Sequence, residues 1–189
     1  MSPRLLALIP TAVAINLVVG QVASELALPV YLDTLGTSLV AVLDGLSGGL
    51  LVGTLGQLLS GMLRGYVWLA FTPIQWLIAA LAALAAARGG FGNTSRSAAW
   101  GAACGVACGL TSAAISYFLF GGVTATGVTA VGALFRSAGF SLAAAVTTAS
   151  LLTDILDKTI SFILLGILLR SLPLRILGRF PLAARAVGR

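Results

Sequence analysis

Long apolar runs alternate with short breaks built from glycine, proline or charged residues, and those breaks set the number of elements. A single helix over residues 29–63 would run roughly 50 Å at about 1.5 Å per residue. A bilayer's hydrocarbon core is only about 30 Å thick. Asp44-Gly45 interrupts this run and divides it into a short helix, 33–43, and a full one, 46–63. Asp33 stands at an N-cap-like position for the short helix. Before it, the pattern predicts a helix over 5–28 that ends at Pro29, because the residue before a proline disfavours helix. After it come a fourth helix over 73–87, opened by Pro73, a fifth over 98–120 and a sixth over 140–172. The sixth is long enough to tilt or to project from a bilayer. Residues 64–72 form an aromatic loop, and 88–97 a polar, basic one. Residues 121–139, rich in Gly and Thr, predict an irregular or partly re-entrant loop. Period-two alternation is missing, which argues against a β-barrel.

Small residues recur every fourth position. In the third helix the row is Gly45, Gly49, Gly53 and Gly61, with Gln57 in the gap. In the fifth it is Gly101, Gly105, Gly109 and Ala113. Such rows let a second helix backbone approach closely, and Gln57 inside one is expected to face away from lipid. In the first helix, Ala12, Asn16, Gly20 and Ser24 form a small, polar stripe, with Ala23 and Ala27 as a second small pair. Two uses compete for this stripe: ordinary helix packing and docking of a partner membrane subunit.

Composition narrows the class. The chain has 189 residues, 59% hydrophobic and 8% charged, with a mean hydropathy of +1.08. Soluble domains carry about 25% charged residues. The expected fold class is therefore all-α, a polytopic membrane protein with six transmembrane helices in a lipid bilayer. A net charge of +6 in a soluble protein would point to nucleic acid. Here the basic residues sit between and after apolar segments, so topology accounts for them and no nucleic-acid partner is expected. Arg4, Arg88, Arg96 and the tail arginines Arg170, Arg175, Arg179, Arg185 and Arg189 fall on one side, against Arg64 and Arg136 on the other. The positive-inside rule then puts both termini in the cytoplasm of a multi-pass cell-membrane protein. Residues 1–172 form the membrane domain and 173–189 a basic cytoplasmic tail.

The chain has no histidine, the commonest metal ligand and proton shuttle. It has no GxxxxGK[ST] phosphate loop and no clustered acidic motif. No metal, cofactor or catalytic residue is expected, and the protein is not read as an enzyme. Cys104 and Cys108 read as small packing residues. Asp154, Asp157 and Lys158 lie mid-way along the sixth helix, where charges are costly unless paired or water-facing. With Gln57 they read as a buried polar network, with an Asp154–Lys158 pair at spacing four; a direct ligand or coupling role for the charged residues is the alternative. The predicted outer side collects Asp33, Arg64, Tyr66, Trp68, Gln75, Trp76, Tyr117 and Arg136, with Thr124 and Thr126 nearby. Aromatic faces plus a few polar groups suit a small polar molecule with a flat ring.

The stretches LPVYLDTLGTSLVAVLDGLSGGLLVG, FTPIQWLIA, YFLFGGVTATG and LLTDILDKTISFILL together resemble the substrate-binding S components of energy-coupling factor (ECF) transporters, over nearly the whole of residues 5–172. The resemblance implies an S-component-like six-helix bundle in a bacterial or archaeal membrane. It implies a vitamin-like substrate bound near the outer face. It also implies a transmembrane T scaffold and two ABC ATPases as partners, so that ATP hydrolysis lies outside this chain. A small-residue patch on the first helix for the scaffold carries over to Ala12, Gly20 and Ser24, interrupted by Asn16, with Ala23 and Ala27 as the competing pair. A gradient-driven carrier and a membrane sensor module remain the alternatives.

Overall fold

The computed structural model describes residues 3–26, 28–123 and 127–188. Among them there are helices and no strand. The long helices are α1 (Pro3–Glu25), α3 (Leu46–Arg64), α4 (Thr72–Ala87), α5 (Thr94–Phe120) and α7 (Leu142–Ser171). The short ones are α2 (Leu35–Asp44), α6 (Gly127–Ser137), α8 (Leu174–Leu177) and α9 (Pro181–Ala186), and a 3-10 turn, Tyr66–Phe71, leads into α4. Four stretches are long and apolar enough to cross a membrane: Ala7–Glu25, Leu46–Arg64, Tyr66–Ala87 and Thr94–Phe120. The 30-residue α7 is longer still, but Asp154, Asp157 and Lys158 at its middle set it apart from those four.

The break at Gly45 falls where expected. Its φ of +91° joins α2 to α3, in the left-handed region that glycine enters without a Cβ penalty. The other end of α2 is less ordinary. After α1 the chain re-enters the bundle, so that Asp33 lies against Gly20 and Gly36 against the backbone of Ala12. There α2 starts, packed on α1, α3 and α4. Its N-cap position is Thr34, not Asp33, and Thr34 makes no side-chain capping bond. The free amide of Gly36 is satisfied from α1, where Asn16 Oδ1 accepts it at 2.7 Å.

The glycine rows are used inside the chain. Along α5, Gly101, Gly105 and Gly109 lie against the α7 backbone at Lys158–Thr159, Ile155 and Leu151. A Cβ on Gly101 would sit 2.6 Å from the Lys158 carbonyl oxygen, and one on Gly109 2.8 Å from Leu151 Cα. In α3, Gly49 admits Ala41 and Ala79, and Gly53 admits Gln75.

The helix expected over 5–28 and ended by Pro29 stops earlier, at Glu25, and three further boundaries differ from the sequence expectation. First, α5 begins at Thr94 rather than 98, because the Asn93 side chain caps it by accepting the Arg96 amide. Second, much of 121–139 is helical as α6, which packs on α7; tertiary contact overrides the weak propensity of its Gly and Thr. Third, residues after 172 are not a free tail. Leu177, Ala183, Ala186 and Val187 are buried in the main core with Phe91 and Phe162, and the Phe91 amide donates to the Ala186 carbonyl at 2.9 Å. Arg170 closes this end by donating to the Phe91 carbonyl at 2.9 Å and the Thr94 hydroxyl at 3.3 Å.

Candidate functional site

A cavity with about 460 Å³ of empty space, partly open to solvent, lies where five pieces of chain converge. The re-entrant segment supplies Tyr31, Asp33 and Thr34; the 3-10 turn supplies Trp68 and Phe71; and α4 supplies Ile74 and Gln75. Ser112 and Ser116 come from α5, and Asp154 and Lys158 from α7.

Hydrogen bonds that satisfy buried polar groups fix the walls supplied by α4, the 3-10 turn, the re-entrant segment and α7. Asn16 Nδ2 donates to the Thr37 hydroxyl at 2.9 Å, and that hydroxyl donates to Gln75 Oε1 at 2.7 Å. The Gln75 amide is thus oriented with its Nε2 towards the Asp33 carbonyl, at 3.5 Å. Gln57 is buried, as expected, and its Nε2 donates to the Trp68 carbonyl at 2.8 Å, tying the 3-10 turn to α3. The Arg64 guanidinium lies 5.2 Å from the Trp68 ring centroid, within cation–π range, and donates to the Leu17 carbonyl at 3.1 Å.

On α7, Asp157 is fully engaged. Its Oδ1 accepts the Tyr31 and Leu32 amides at 2.9 and 2.7 Å. Its Oδ2 forms an ion pair with the Lys158 ammonium. This clamp holds Leu32 at a φ of +52°, a conformation uncommon for a residue with a Cβ. Lys158 also donates to the Thr34 hydroxyl at 3.3 Å and lies 6.0 Å from the Tyr31 ring centroid. The spacing-four pair Asp154–Lys158 is therefore replaced by Asp157–Lys158. The long lysine side chain reaches its sequence neighbour because the re-entrant segment holds Asp157 in place. Ser112 and the Asp154 carboxyl line the cavity together, and Asp154 Oδ2 has no partner among the described residues.

Of the residues expected to touch a ligand, Asp33, Trp68 and Gln75 line the cavity. Arg64 stands behind Trp68 as a support. Tyr66 is 86% exposed. Trp76 is turned to the Thr54 hydroxyl, at 2.9 Å. Tyr117 packs edge-on to Phe118, and Arg136 donates to the nearby Phe140 carbonyl. Asp154 and Lys158, read as a buried network with a ligand or coupling role as the alternative, line the cavity as well. The α1 stripe is largely consumed internally, with Ala12, Asn16, Gly20 and Ala23 buried and Ser24 exposed; Ala27, Thr124 and Thr126 lie outside the described residues. Ser112 and Ser116 were missed. They continue a spacing-four series with Cys104 and Cys108, all four buried, and that register was the available signal. Tyr31 carried no periodic signal. No family model, no curated protein and no solved structure matches the chain.

Proposed function

We propose that the protein is the substrate-capture subunit of an ECF-type ATP-dependent importer, with α7 and the short α2 completing six membrane passes. On this reading it takes a vitamin-like heterocycle from outside and delivers it inward with a T scaffold and two ATPases. The observation that carries the reading is the position and lining of the cavity. It lies at the end of the bundle where α1, α3 and α5 finish and α4 starts. Arg88, Arg96 and Arg170 lie at the other end, so the positive-inside rule turns the cavity outward. Aromatic walls with a few oriented polar groups suit a flat, polar ring. The chain offers no phosphate loop to power transport itself. A carrier using Asp157 as a mobile relay is disfavoured, because that carboxylate is tied to two amides and an ammonium.

The test is uptake in cells co-expressing this chain with an ECF scaffold and ATPases, combined with native mass spectrometry of the gently purified chain. One small heterocycle per chain is expected, with uptake abolished when the phosphate-loop lysines of the ATPases are replaced. Uptake that survives that change, or that follows an ion gradient, would remove this mechanism in favour of a carrier.

A further inference from the structure

The cavity's charge inventory narrows the ligand class, given the capture reading above. Three carboxylates, Asp33, Asp154 and Asp157, surround one ammonium, Lys158. That ammonium is committed to Asp157, whose other oxygen is filled by two backbone amides. The next cation, Arg64, lies over the Trp68 ring and bonds the Leu17 carbonyl. Carboxyl oxygens are therefore in surplus over uncommitted donors at the cavity wall, and the surplus has a definite location. Asp154 is 2% exposed, lines the cavity and presents an Oδ2 with no partner among the described residues. Ser38, Ser150 and Ser161 also have unpartnered hydroxyls, but none of them lines the cavity. A buried carboxylate oxygen is also far more costly to leave bare than a hydroxyl. The same wall gives acceptor or hydroxyl groups at Asp33, Thr34, Ser112 and Ser116, with Trp68 and Phe71 as flat faces.

We infer that the ligand is a nitrogen heterocycle bearing an amino group or a protonated nitrogen, which donates to Asp154 while its ring lies against Trp68 or Phe71. Heterocycles that carry a carboxylate are excluded, because that group would meet the carboxyls of Asp154 and Asp33 with no uncommitted cation among the described residues to offset it.

The experiment is calorimetric binding to the full-length chain in detergent, with three probe groups. Thiamine, 4-amino-5-hydroxymethyl-2-methylpyrimidine and adenine carry amino groups. Nicotinate and biotin carry carboxylates. Uracil and lumichrome carry neither. Binding confined to the first group is expected. A charge-assisted hydrogen bond lost from a buried site weakens binding by about 10- to 100-fold, so Asp154→Asn should lose that much affinity for the bound amino probe. The same variant should unfold no earlier than wild type without ligand, because it replaces a buried carboxyl whose Oδ2 has no partner among the described residues. Tightest binding by a carboxylate probe, or by uracil or lumichrome, overturns the inference and leaves the capture reading standing. So does an Asp154→Asn variant that binds the amino probe as wild type does. Binding by none of the probes, with no small molecule in native mass spectra, overturns both.

Discussion

Asn16 shows how much one side chain can organise. Its oxygen caps α2 at Gly36, and its nitrogen holds Thr37, which in turn orients Gln75 at the cavity wall. Asn16→Ala should lower stability by about 1–3 kcal/mol, the sum of a lost cap and a buried group left unpaired. Asn16→Asp keeps the acceptor but buries a carboxyl oxygen where the donor to Thr37 stood, and should destabilise as well. Thermal unfolding in detergent reads both, and an Asn16→Ala midpoint equal to wild type would show the cap to be idle. Asp157 is the second such residue. Asp157→Asn leaves the Lys158 ammonium buried without its counter-charge, a loss of about 3–5 kcal/mol. Adding Lys158→Met should recover part of it, since the two effects are coupled; strict additivity of the pair would argue against the ion pair. Neither role was legible in the sequence. Asn16 stood in a stripe of small residues and read as an interruption, because its partners at Gly36 and Thr37 come from a segment that turns back into the bundle. Asp157 lay next to Lys158 in sequence, whereas helical spacing favours partners three or four apart.

At the scale of elements, the spacing-four glycines were legible, and their use follows from geometry. A row without Cβ atoms on α5 lets the α7 backbone come within van der Waals range, which places Asp154 opposite Ser112. A Cβ on Gly105 would meet Ile155 Cα and the Asp154 carbonyl, both backbone. Gly105→Ala should therefore cost about 1–3 kcal/mol by overpacking. Gly132, in the middle of α6, is the control. The nearest atom to a Cβ there is Ala149 Cβ at 3.9 Å, an ordinary contact. Gly132→Ala should be neutral, or stabilising by up to about 1 kcal/mol from helix propensity. Equal unfolding midpoints for the two variants would mean that α5 and α7 are free to separate. Elements that depend on packing with distant chain were harder to read. Nothing local in 121–139 announces α6, and the burial of Leu177 and Ala183 depends on a core made by α4 and α7. Asn93 was a local cap signal within a polar loop, and the start of α5 could have been read from it.

For the whole molecule, the distribution of arginines and the position of the cavity make one joint statement about orientation. Arg170 bonds the α4–α5 connection, so the arginines of that connection and of the C-terminal helices gather at one end. The cavity mouth, Tyr66 and Arg64 belong to the other. Moving many arginines across a bilayer is disfavoured, and loops carrying them stay in the cytoplasm. Tyr66 is 86% exposed and marks the cavity end, and Arg96, in the first turn of α5, marks the arginine-rich one. Cys104 and Cys108 are buried and unpaired; replacing both by Ala removes background labelling. In that background, Tyr66→Cys should react with a membrane-impermeant maleimide added to intact cells, and Arg96→Cys only after the cells are opened. The reverse pattern would turn the cavity towards the cytoplasm, and capture from outside would then be ruled out whatever the cavity binds. Labelling of both in intact cells would mean that the helices do not span the membrane in one fixed orientation.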